Sequence, residues 1–249
     1  MAEAMLTIDG VGVDFGGFKA VDRFSMVVEE GELRVLLGAN GAGKTTLMDL
    51  VSGKTRATEG AVYLQNRNVT NWQEHAIARA GLGRKFQIPS VFKELTVGEN
   101  LEVAGMGERG VLRNLRLRDR RGARRSMQEV LELIGLVDKV EERAGALSHG
   151  ETQWLELGIL IRQDPKVILL DEPTAGMTQD ETQKTSRIIN NLKGQHTLVV
   201  VEHDMAFVRE IAQVITVMHL GKLLAQGTIA EIENNQAVRD AYLGSGGIH

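Results

Sequence analysis

Short apolar runs separated by helical patterns recur along the chain. The segments 33–37, 167–170 and 197–201 are almost wholly apolar, which is typical of strands buried on both faces of a parallel sheet. Between them, the segments 126–134 and 151–162 carry apolar residues at helical spacing. Strands that alternate with helices predict an α/β fold in which helices cover both faces of the sheet.

The first third of the chain has a different pattern, with more strands than helices. The segments 6–13, 21–28 and 61–64 contain short or interrupted apolar runs, which predict the strands of an antiparallel β part. Near the end of the chain, the segments 214–218 and 222–225 predict a closing hairpin.

Several helix starts can be located from their capping residues. Thr96 and Thr178 each precede a Glu by three residues, which is the pattern of a capping box. Thr70 or Asn71 is predicted to cap a helix over 72–79. The middle of the chain is therefore predicted to be mostly helical.

A glycine-rich loop, 38–46, joins the strand that ends at Leu37 to a predicted helix over 44–51. It fits the pattern G-x-x-x-x-G-K-[ST] in a strand–loop–helix setting, although such a turn can also match by chance. Glycines let the backbone fold around an anion, and the N–H groups of the loop and helix start point towards phosphate oxygens. Lys44 would reach the β and γ phosphates, and the Thr45 hydroxyl would bind Mg²⁺. The loop residues predicted to bind the nucleotide are Gly38, Asn40, Gly41, Gly43, Lys44, Thr45 and Thr46.

Two acids, Asp171 and Glu172, follow the apolar strand 167–170. The carboxyl end of a strand is the edge at which open α/β sheets bind ligands. Asp171 would hold the Mg²⁺ shell, and Glu172 would accept a proton from the attacking water or orient it. Without the glycine-rich loop, the pair could also be a solvated strand end or a helix cap, although this is the weaker interpretation.

Three further polar sites are ambiguous by themselves. Gln87 follows a predicted strand and alone would be a polar turn residue. Ser148 and Gly150 precede a helix, where they would either present donors to an anion or only cap the helix. His203 follows the strand 197–201, and a lone histidine at a strand end is usually structural.

Composition narrows the classes of function. The chain has 249 residues, of which 43% are hydrophobic and 25% charged, and a formal net charge of −4. It therefore has no global attraction for nucleic acid or anionic lipid. Cysteine is absent, which excludes disulfides and cysteine nucleophiles. The start of the chain lacks a signal-peptide pattern, and no apolar run approaches the roughly 20 residues that span a bilayer, so we expect a chain that does not cross a membrane by itself.

Taken in order, these segments resemble the ATP-binding cassette (ABC) ATPases. The loop 38–46 is similar to the Walker A motif, Gln87 to the Q-loop, 147–151 to the signature motif, 167–172 to Walker B and His203 to the switch histidine. The resemblance covers most of the chain. It implies an ATPase that hydrolyses ATP with Mg²⁺.

The same resemblance implies the fold class and the domain organisation. The fold would be α/β, of the P-loop NTPase type, with a RecA-like core of mixed and parallel sheet, an antiparallel β part and a helical subdomain. The whole chain, 1–249, would be one nucleotide-binding domain. Its core would comprise about 1–87 and 164–249, and its helical subdomain about 88–163.

The resemblance also implies how the site residues act. Two cassettes would enclose ATP head to tail, so Ser148 and Gly150 would act on ATP held by a partner cassette. His203 would hold the γ-phosphate and position water beside Glu172. Gln87 would bind Mg²⁺ and relay closure of the dimer to a membrane subunit.

An aromatic side chain is expected to stack on the adenine ring. Phe15 lies where the family has this aromatic residue, and Phe18 is an alternative. For either phenylalanine, a place in the hydrophobic core is an equally good expectation.

Three positions depart from the family pattern. In the signature motif, His149 replaces a glycine and Glu151 a glutamine, and Thr178 stands where the loop after Walker B usually has an aspartate. The first two put the contact with the γ-phosphate in doubt, and the third puts the contact of that loop across the dimer interface in doubt. Because Lys44, Glu172 and His203 are all present, we do not interpret these departures as inactivation.

Further motifs point to a subfamily. The segments 15–17, 84–89 and 221–243 resemble ATPases of branched-chain amino-acid-type importers. Within that group, 147–156 and 175–178, together with Val-Glu-His-Asp-Met at 201–205, resemble the ATPases of urea importers. Urea uptake is therefore the expected process, with uptake of branched-chain amino acids as the alternative.

This resemblance implies the partners and the location. A second ATPase subunit would complete a heterodimer, although the isolated chain could form a homodimer. Integral-membrane permease subunits would carry the substrate, which a periplasmic binding protein would deliver. The chain would be cytoplasmic and peripheral on the inner face of the membrane, and we expect no nucleic-acid partner.

Two other functions are disfavoured by the sequence. A non-transport cassette ATPase is disfavoured because long coiled-coil arms and a second cassette are both absent from the sequence, and a regulatory module without turnover is disfavoured by Glu172 and His203. The arginine-rich run 113–125 is either a solvated loop or a surface for anionic lipid headgroups or a membrane subunit.

Overall fold

Two β-sheets, nine α-helices and two short 3-10 helices form the part of the chain that the computed structural model describes, which is residues 3–85, 91–106 and 125–243. The strands are β1 (Ala4–Phe15), β2 (Phe18–Glu29), β3 (Leu33–Leu37), β4 (Glu59–Leu64), β5 (Arg67–Asn68), β6 (Leu82–Lys85), β7 (Val167–Asp171), β8 (Thr197–Glu202), β9 (Val214–His219) and β10 (Lys222–Gly227). The helices are α1 (Lys44–Ser52), α2 (Glu74–Ala80), α3 (Val97–Gly105), α4 (Met127–Ile134), α5 (His149–Gln163), α6 (Gln179–Leu192), α7 (Met205–Ile211), α8 (Ile229–Asn234) and α9 (Gln236–Leu243).

The larger sheet sets the position of the site. Its strand order is β10-β9-β3-β8-β7-β6, and all neighbours are parallel except the outer pair β9 and β10. Leu37 pairs with Glu202, and Asp171 pairs with Val201. The strands β3, β8 and β7 therefore end level with one another, which brings the residues that follow them to one edge of the sheet.

Both faces of this sheet are buried, as its apolar strands predict. In β7, Ile168 and Leu170 belong to one hydrophobic cluster, while Val167 and Leu169 belong to a second one. The first cluster includes side chains of α3 to α9, and the second includes α1, α2 and the other sheet. Alternation of side chains across the strand thus connects two separate layers of core.

The smaller sheet is antiparallel, with the order β2-β1-β4-β5. The strands β1 and β2 form a hairpin that turns at Gly16-Gly17, and Phe15 pairs with Phe18 beside this turn. The α/β fold with an antiparallel β part is confirmed.

The described residues between β6 and β7 form no strand, and helices are the regular secondary structure of this stretch. Its helices α3, α4 and α5 share the first hydrophobic cluster with the large sheet. The division of the chain into a core and a helical subdomain stays a prediction.

Capping residues begin most of these helices. Complete capping boxes start α3, α4, α5, α6 and α8, at Thr96, Ser126, Ser148, Thr178 and Thr228. The boxes predicted at Thr96 and Thr178 are confirmed. The helix predicted to begin at 151 begins two residues earlier, because Ser148 is its cap.

The cap predicted for α2 at Thr70 or Asn71 is wrong. The helix begins at Glu74, after Gln73. The Asn71 side chain instead accepts a hydrogen bond from the Ala57 N–H at 2.7 Å and donates one to its carbonyl at 3.1 Å. Asn71 closes a neighbouring loop, and its amide is not available to the helix.

Two predicted features lie outside the described residues. These are Gln87 and the arginines of the run 113–125 other than Arg125. The guanidinium of Arg125 donates to Gln195 Oε1 at 2.7 Å, so this member of the run contacts the turn that follows α6.

Candidate functional site

The loop 38–46 connects β3 to α1, and two of its glycines cannot be replaced without a clash. A Cβ on Gly38 would lie 2.5 Å from the Met218 carbonyl oxygen. A Cβ on Gly43 would lie 2.5 Å from the Ala20 carbonyl oxygen, and the φ angle of Gly43 is 102°. The loop therefore needs glycine at both positions to hold its backbone against β2 and β9.

The Lys44 side chain is buried inside this loop. Its Nζ donates to the carbonyl oxygens of Gly38 at 2.6 Å and Ala39 at 3.1 Å. Burial lowers the pKa of Lys44, and the nearby carboxylates, above all Glu172, oppose this shift. The positive charge of Lys44 therefore lies within a loop whose backbone N–H groups are suited to bind an anion.

A cavity of about 330 Å³ opens in front of the loop. It is lined by Phe18, Ala20, Asn40, Gly41, Ala42, Gly43, Lys44, Thr45, Thr46 and Glu172. The predicted loop residues are therefore brought together around the cavity, except Gly38, which is not among its lining residues. Phe18, the alternative aromatic residue, lines the cavity, whereas Phe15 is not among its lining residues and is 55% exposed.

Asp171 is a buried carboxylate whose oxygens accept no hydrogen bond from the part of the chain that the structure describes. The Arg84 guanidinium lies 3.6 Å from its Oδ2. Burial raises the pKa of Asp171, and Arg84 counteracts this only in part. Such an unsatisfied buried group requires an explanation, because its lone pairs have lost water without gaining a donor.

The donor set at this edge fits Mg²⁺. The ion prefers oxygen ligands, and it is commonly bound by one or two protein groups together with waters and substrate phosphates. The oxygens of Asp171, which accept no hydrogen bond from the described residues, and the hydroxyl of the exposed Thr45 would supply such ligands. Residues 3–85, 91–106 and 125–243 contain no cluster of three or more acidic or histidine side chains that would hold a metal by itself.

Glu172 and His203 lie together at the same edge. The Nδ1 atom of His203 is 3.4 Å from Glu172 Oε1. The φ angle of Glu172 is 46°, in the left-handed region, and its backbone N–H donates to the Val201 carbonyl at 3.0 Å. Strained residues of this kind concentrate at functional sites, where surrounding contacts hold them.

The sequence interpretation did not identify the charged and polar side chains that contact Asp171 and His203. Arg84 bridges the Asp49 carboxylate at 2.6 Å and Asp171. Glu202 is 1% exposed and accepts hydrogen bonds from Thr174 and from the His203 backbone. A signal was available, since a charged residue that ends an otherwise apolar buried strand is seldom solvated.

Ser148 and Gly150 lie at the start of α5 and are not among the described residues that line the cavity. The Ser148 hydroxyl accepts from the Glu151 N–H at 3.3 Å, and the Glu151 carboxylate accepts from the Ser148 N–H at 2.9 Å. A Cβ on Gly150 would lie 2.3 Å from Glu181 Oε1. The structure therefore does not bring these two residues to the phosphate loop of their own chain.

The three departures from the family pattern all make contacts within the chain. His149 Nε2 lies 3.1 Å from the Ala175 carbonyl oxygen, and Glu151 Oε1 lies 2.9 Å from Lys139 Nζ. Thr178 caps α6 through Glu181. The signature segment and the loop after β7 are thus joined directly by His149.

A phosphate loop between β3 and α1, beside acidic residues at the ends of neighbouring parallel strands, defines a P-loop nucleotide hydrolase. The chain belongs to the ABC transporter ATPase family, whose model matches residues 21–175. A second model, described as a branched-chain amino acid ATP-binding cassette transporter, matches residues 222–248.

Relatives match along nearly the whole chain. The high-affinity branched-chain amino acid transport ATP-binding protein LivG of Salmonella typhimurium is 36% identical over 98% of this chain and 99% of its own length. The protein of the same description named BraF, from Pseudomonas aeruginosa, is 34% identical with the same coverage.

Solved structures agree with this family. An ATP-binding cassette of an ABC transporter in its ADP conformation is 30% identical, with a TM-score of 0.82 over 97% of this chain and 99% of that one. A nucleotide-free cassette is also 30% identical, with a TM-score of 0.78 over 96% and 98%. The P-loop NTPase fold is confirmed.

The family fixes the class of activity. The chain is an ATPase of the type that is coupled to transport, and it uses ATP with Mg²⁺ as the usual ion. Among residues 3–85, 91–106 and 125–243, no helix combines the length and the apolar character needed to cross a bilayer.

Proposed function

We propose that this chain is the ATP-hydrolysing subunit of an importer for branched-chain amino acids. The observation that carries the proposal is the match of residues 222–248 to the branched-chain amino acid cassette model. Relatives that are 34% to 36% identical and bear the same description support it. No residue of the ATP site recognises the transported substrate, so the substrate rests on likeness rather than on chemistry.

Urea is a second candidate substrate, favoured by specific motifs. These are Leu-Ser-His-Gly at 147–150, Ala-Gly-Met-Thr at 175–178 and Val-Glu-His-Asp-Met at 201–205. His149 contacts Ala175 in the structure, which links two of these motifs physically. The names of the relatives favour branched-chain amino acids over urea.

The geometry of the strand edge supports the roles proposed for Lys44, Thr45 and Asp171, whereas those of Gln87 and Phe15 rest on the resemblance alone. Lys44 and the loop N–H groups bind the phosphates of ATP, and Phe15 or Phe18 stacks on the adenine. Thr45, Asp171 and Gln87 hold Mg²⁺, which when bound neutralises charge on the phosphates.

Glu172 orients the attacking water and receives its proton, because its carboxylate lines the cavity beside Lys44. His203 lies against Glu172 and contacts the γ-phosphate. Catalysis is by positioning and electrostatics, without a covalent intermediate.

The second half of the ATP site is proposed to come from another cassette. Ser148 and Gly150 are at the start of α5 and do not line the cavity of their own chain. We propose that they bind ATP held by a second ATPase subunit, in a heterodimer in the cell or a homodimer in isolation. Permease subunits would anchor the pair at the cytoplasmic face of the membrane and receive substrate from a periplasmic binding protein.

Uptake of labelled substrate tests this function. A strain that lacks the gene is complemented with wild-type protein, or with the variants Lys44→Ala and Glu172→Gln, and is given labelled leucine or labelled urea. Leucine uptake that depends on Lys44 and Glu172 is the expected result. Uptake of urea alone would favour the second candidate, and uptake of both substrates independent of Lys44 and Glu172 would contradict the proposed function.

A further inference from the structure

Glu202 is a buried carboxylate at the end of β8 whose two oxygens are both used. Its Oε1 accepts from the Thr174 hydroxyl at 2.8 Å, and its Oε2 accepts from the His203 backbone N–H at 3.2 Å. The residue is 1% exposed. Burying a charge is costly unless it is hydrogen-bonded, so these two contacts, together with a hydrogen bond from the Thr174 backbone, account for how it is tolerated.

The two contacts join the segments that carry Glu172 and His203. Thr174 belongs to the turn after β7, which is closed by a hydrogen bond from the Ala175 N–H to the Glu172 carbonyl at 3.1 Å. His203 directly follows β8. Any movement of one segment against the other would change the 3.4 Å distance between His203 Nδ1 and Glu172 Oε1.

We propose that Glu202 is a positioning residue that braces the turn after β7 against the His203 backbone, and thereby sets the geometry of Glu172 and His203 for ATP hydrolysis. This inference rests on the proposed catalytic roles of Glu172 and His203. The strained backbone of Glu172, with its φ angle of 46°, is the kind of feature that such a brace maintains.

A direct role of Glu202 in proton transfer fits the geometry less well. Its Oε2 lies 4.0 Å from His203 Nδ1, which is beyond hydrogen-bond distance. The positive charge of Lys44 is close enough to interact electrostatically with the Glu202 carboxylate, which favours its ionised form. Burial raises the pKa of Glu202, while the hydrogen bonds from Thr174 and His203 lower it. Since both oxygens already accept hydrogen bonds, the carboxylate is occupied in structure rather than free for the reacting water.

Isosteric variants separate these roles. In Glu202→Gln, the amide oxygen can accept from the His203 N–H while the amide nitrogen donates to Thr174 Oγ1, so the brace is kept without its charge. Glu202→Leu removes both contacts. Thr174→Val removes one contact from a half-buried position, and Thr174→Ser retains the hydroxyl. Thr216→Val, which removes a buried hydroxyl of β9 that accepts a hydrogen bond from Arg34, is the matched control.

The kcat and KM of ATP hydrolysis, the affinity for ATP without Mg²⁺ and the melting temperature are measured for each full-length variant. We expect Thr174→Val and Glu202→Leu to lower kcat by about ten- to a hundredfold, the range expected when a catalytic group is displaced. KM and the affinity for ATP should change little. Glu202→Gln and Thr174→Ser should remain within about threefold of wild type, and the double variant Thr174→Val/Glu202→Leu should be no worse than Glu202→Leu.

Two results would overturn the inference. If Glu202→Gln is as inactive as Glu202→Leu, the carboxylate takes part in proton transfer. If Thr174→Val and Glu202→Leu melt earlier, as Thr216→Val should, but keep the wild-type kcat, the contacts are only structural. Thr174→Val decides the question if Glu202→Leu does not fold. Absence of ATP turnover in the wild-type chain would instead contradict the proposed function.

Discussion

The fold shifts the pKa of acidic residues in opposite directions at the edge of the large sheet and at the helix starts. At the helix starts, Glu129, Glu181 and Glu231 accept backbone and hydroxyl hydrogen bonds from their capping residues, which lower the pKa of each. At the sheet edge, burial raises the pKa of Asp171 and of Glu202. Hydrogen bonds thus stabilise the charged carboxylate at the helix starts, whereas burial destabilises it at the sheet edge.

The difference shows what the site requires. The fold can satisfy a carboxylate with local N–H donors, because it does so at five capping boxes. At the sheet edge it leaves both oxygens of Asp171 without a hydrogen bond. Groups that are destabilised in this manner remain available to bind a metal ion or a reacting water.

Removing the charge of Glu172 should have the largest effect. We expect Glu172→Gln to bind ATP normally and to lower kcat by about a hundredfold or more, as expected for loss of a general base. Glu129→Gln, at the start of α4, is the matched control because a Gln also completes a capping box. Equal turnover of the two variants would remove the functional distinction between the regions.

Neutralising Asp171 should stabilise the fold while it abolishes efficient turnover. Because burial raises its pKa, the charged form opposes folding at neutral pH, and we expect Asp171→Asn to raise the free energy of unfolding by about 1 kcal/mol without Mg²⁺ and ATP. The control is Asp49→Asn, since Asp49 also pairs with Arg84 but accepts its hydrogen bond at 2.6 Å. Asp49→Asn should destabilise, and the same sign for both variants in thermal unfolding would contradict this explanation.

His149 tests whether the signature segment and the loop after β7 are linked. His149→Ala removes the 3.1 Å contact with the Ala175 carbonyl, and we expect a loss of about 0.5 kcal/mol because the contact is exposed. His149→Gln should recover part of this loss if its side chain reaches the same oxygen. Chemical denaturation measures both, and a stability equal to wild type for His149→Ala would show that the contact contributes nothing.

The smallest effect is expected for the charge of Glu181. Hydrogen bonds from the Thr178 N–H and hydroxyl lower its pKa, so the stabilisation is present above the pKa of the unfolded chain, about 4.3, and is lost as the pH falls through the folded pKa. The melting temperature of wild type should therefore exceed that of Glu181→Gln at neutral pH and approach it in acid. Glu102→Gln, at an exposed position of α3, is the control for the loss of a surface carboxylate outside a capping box.

Local patterns in the sequence predicted the parts of the molecule that depend on local physics. The apolar strands, the phosphate loop and the capping boxes at Thr96 and Thr178 were recognisable because each is encoded within a few residues. The cap of α2 was predicted wrongly because Asn71 bonds to Ala57, which is distant in sequence.

The partners of the charged residues around the site could not be predicted for the same reason. Arg84 meets Asp49 and Asp171 only because α1, β6 and β7 are neighbours in space. Glu202 and Thr174 meet because β7 and β8 pair in parallel. In both cases the sheet order brings together residues from separate segments, and a single sequence does not state that order.

We propose that this chain carries half of an ATP site, and that a second cassette, either another copy of this chain or a related subunit, supplies the other half from its own segment corresponding to Ser148 and Gly150. The most direct measurement is the ATPase rate per mole of protein over a dilution series, with the oligomeric state determined at each concentration. We predict that the specific rate falls in step with the dimer fraction, and that Ser148→Arg lowers the rate at every concentration. A specific rate that is unchanged when the protein is diluted to monomer would contradict the claim.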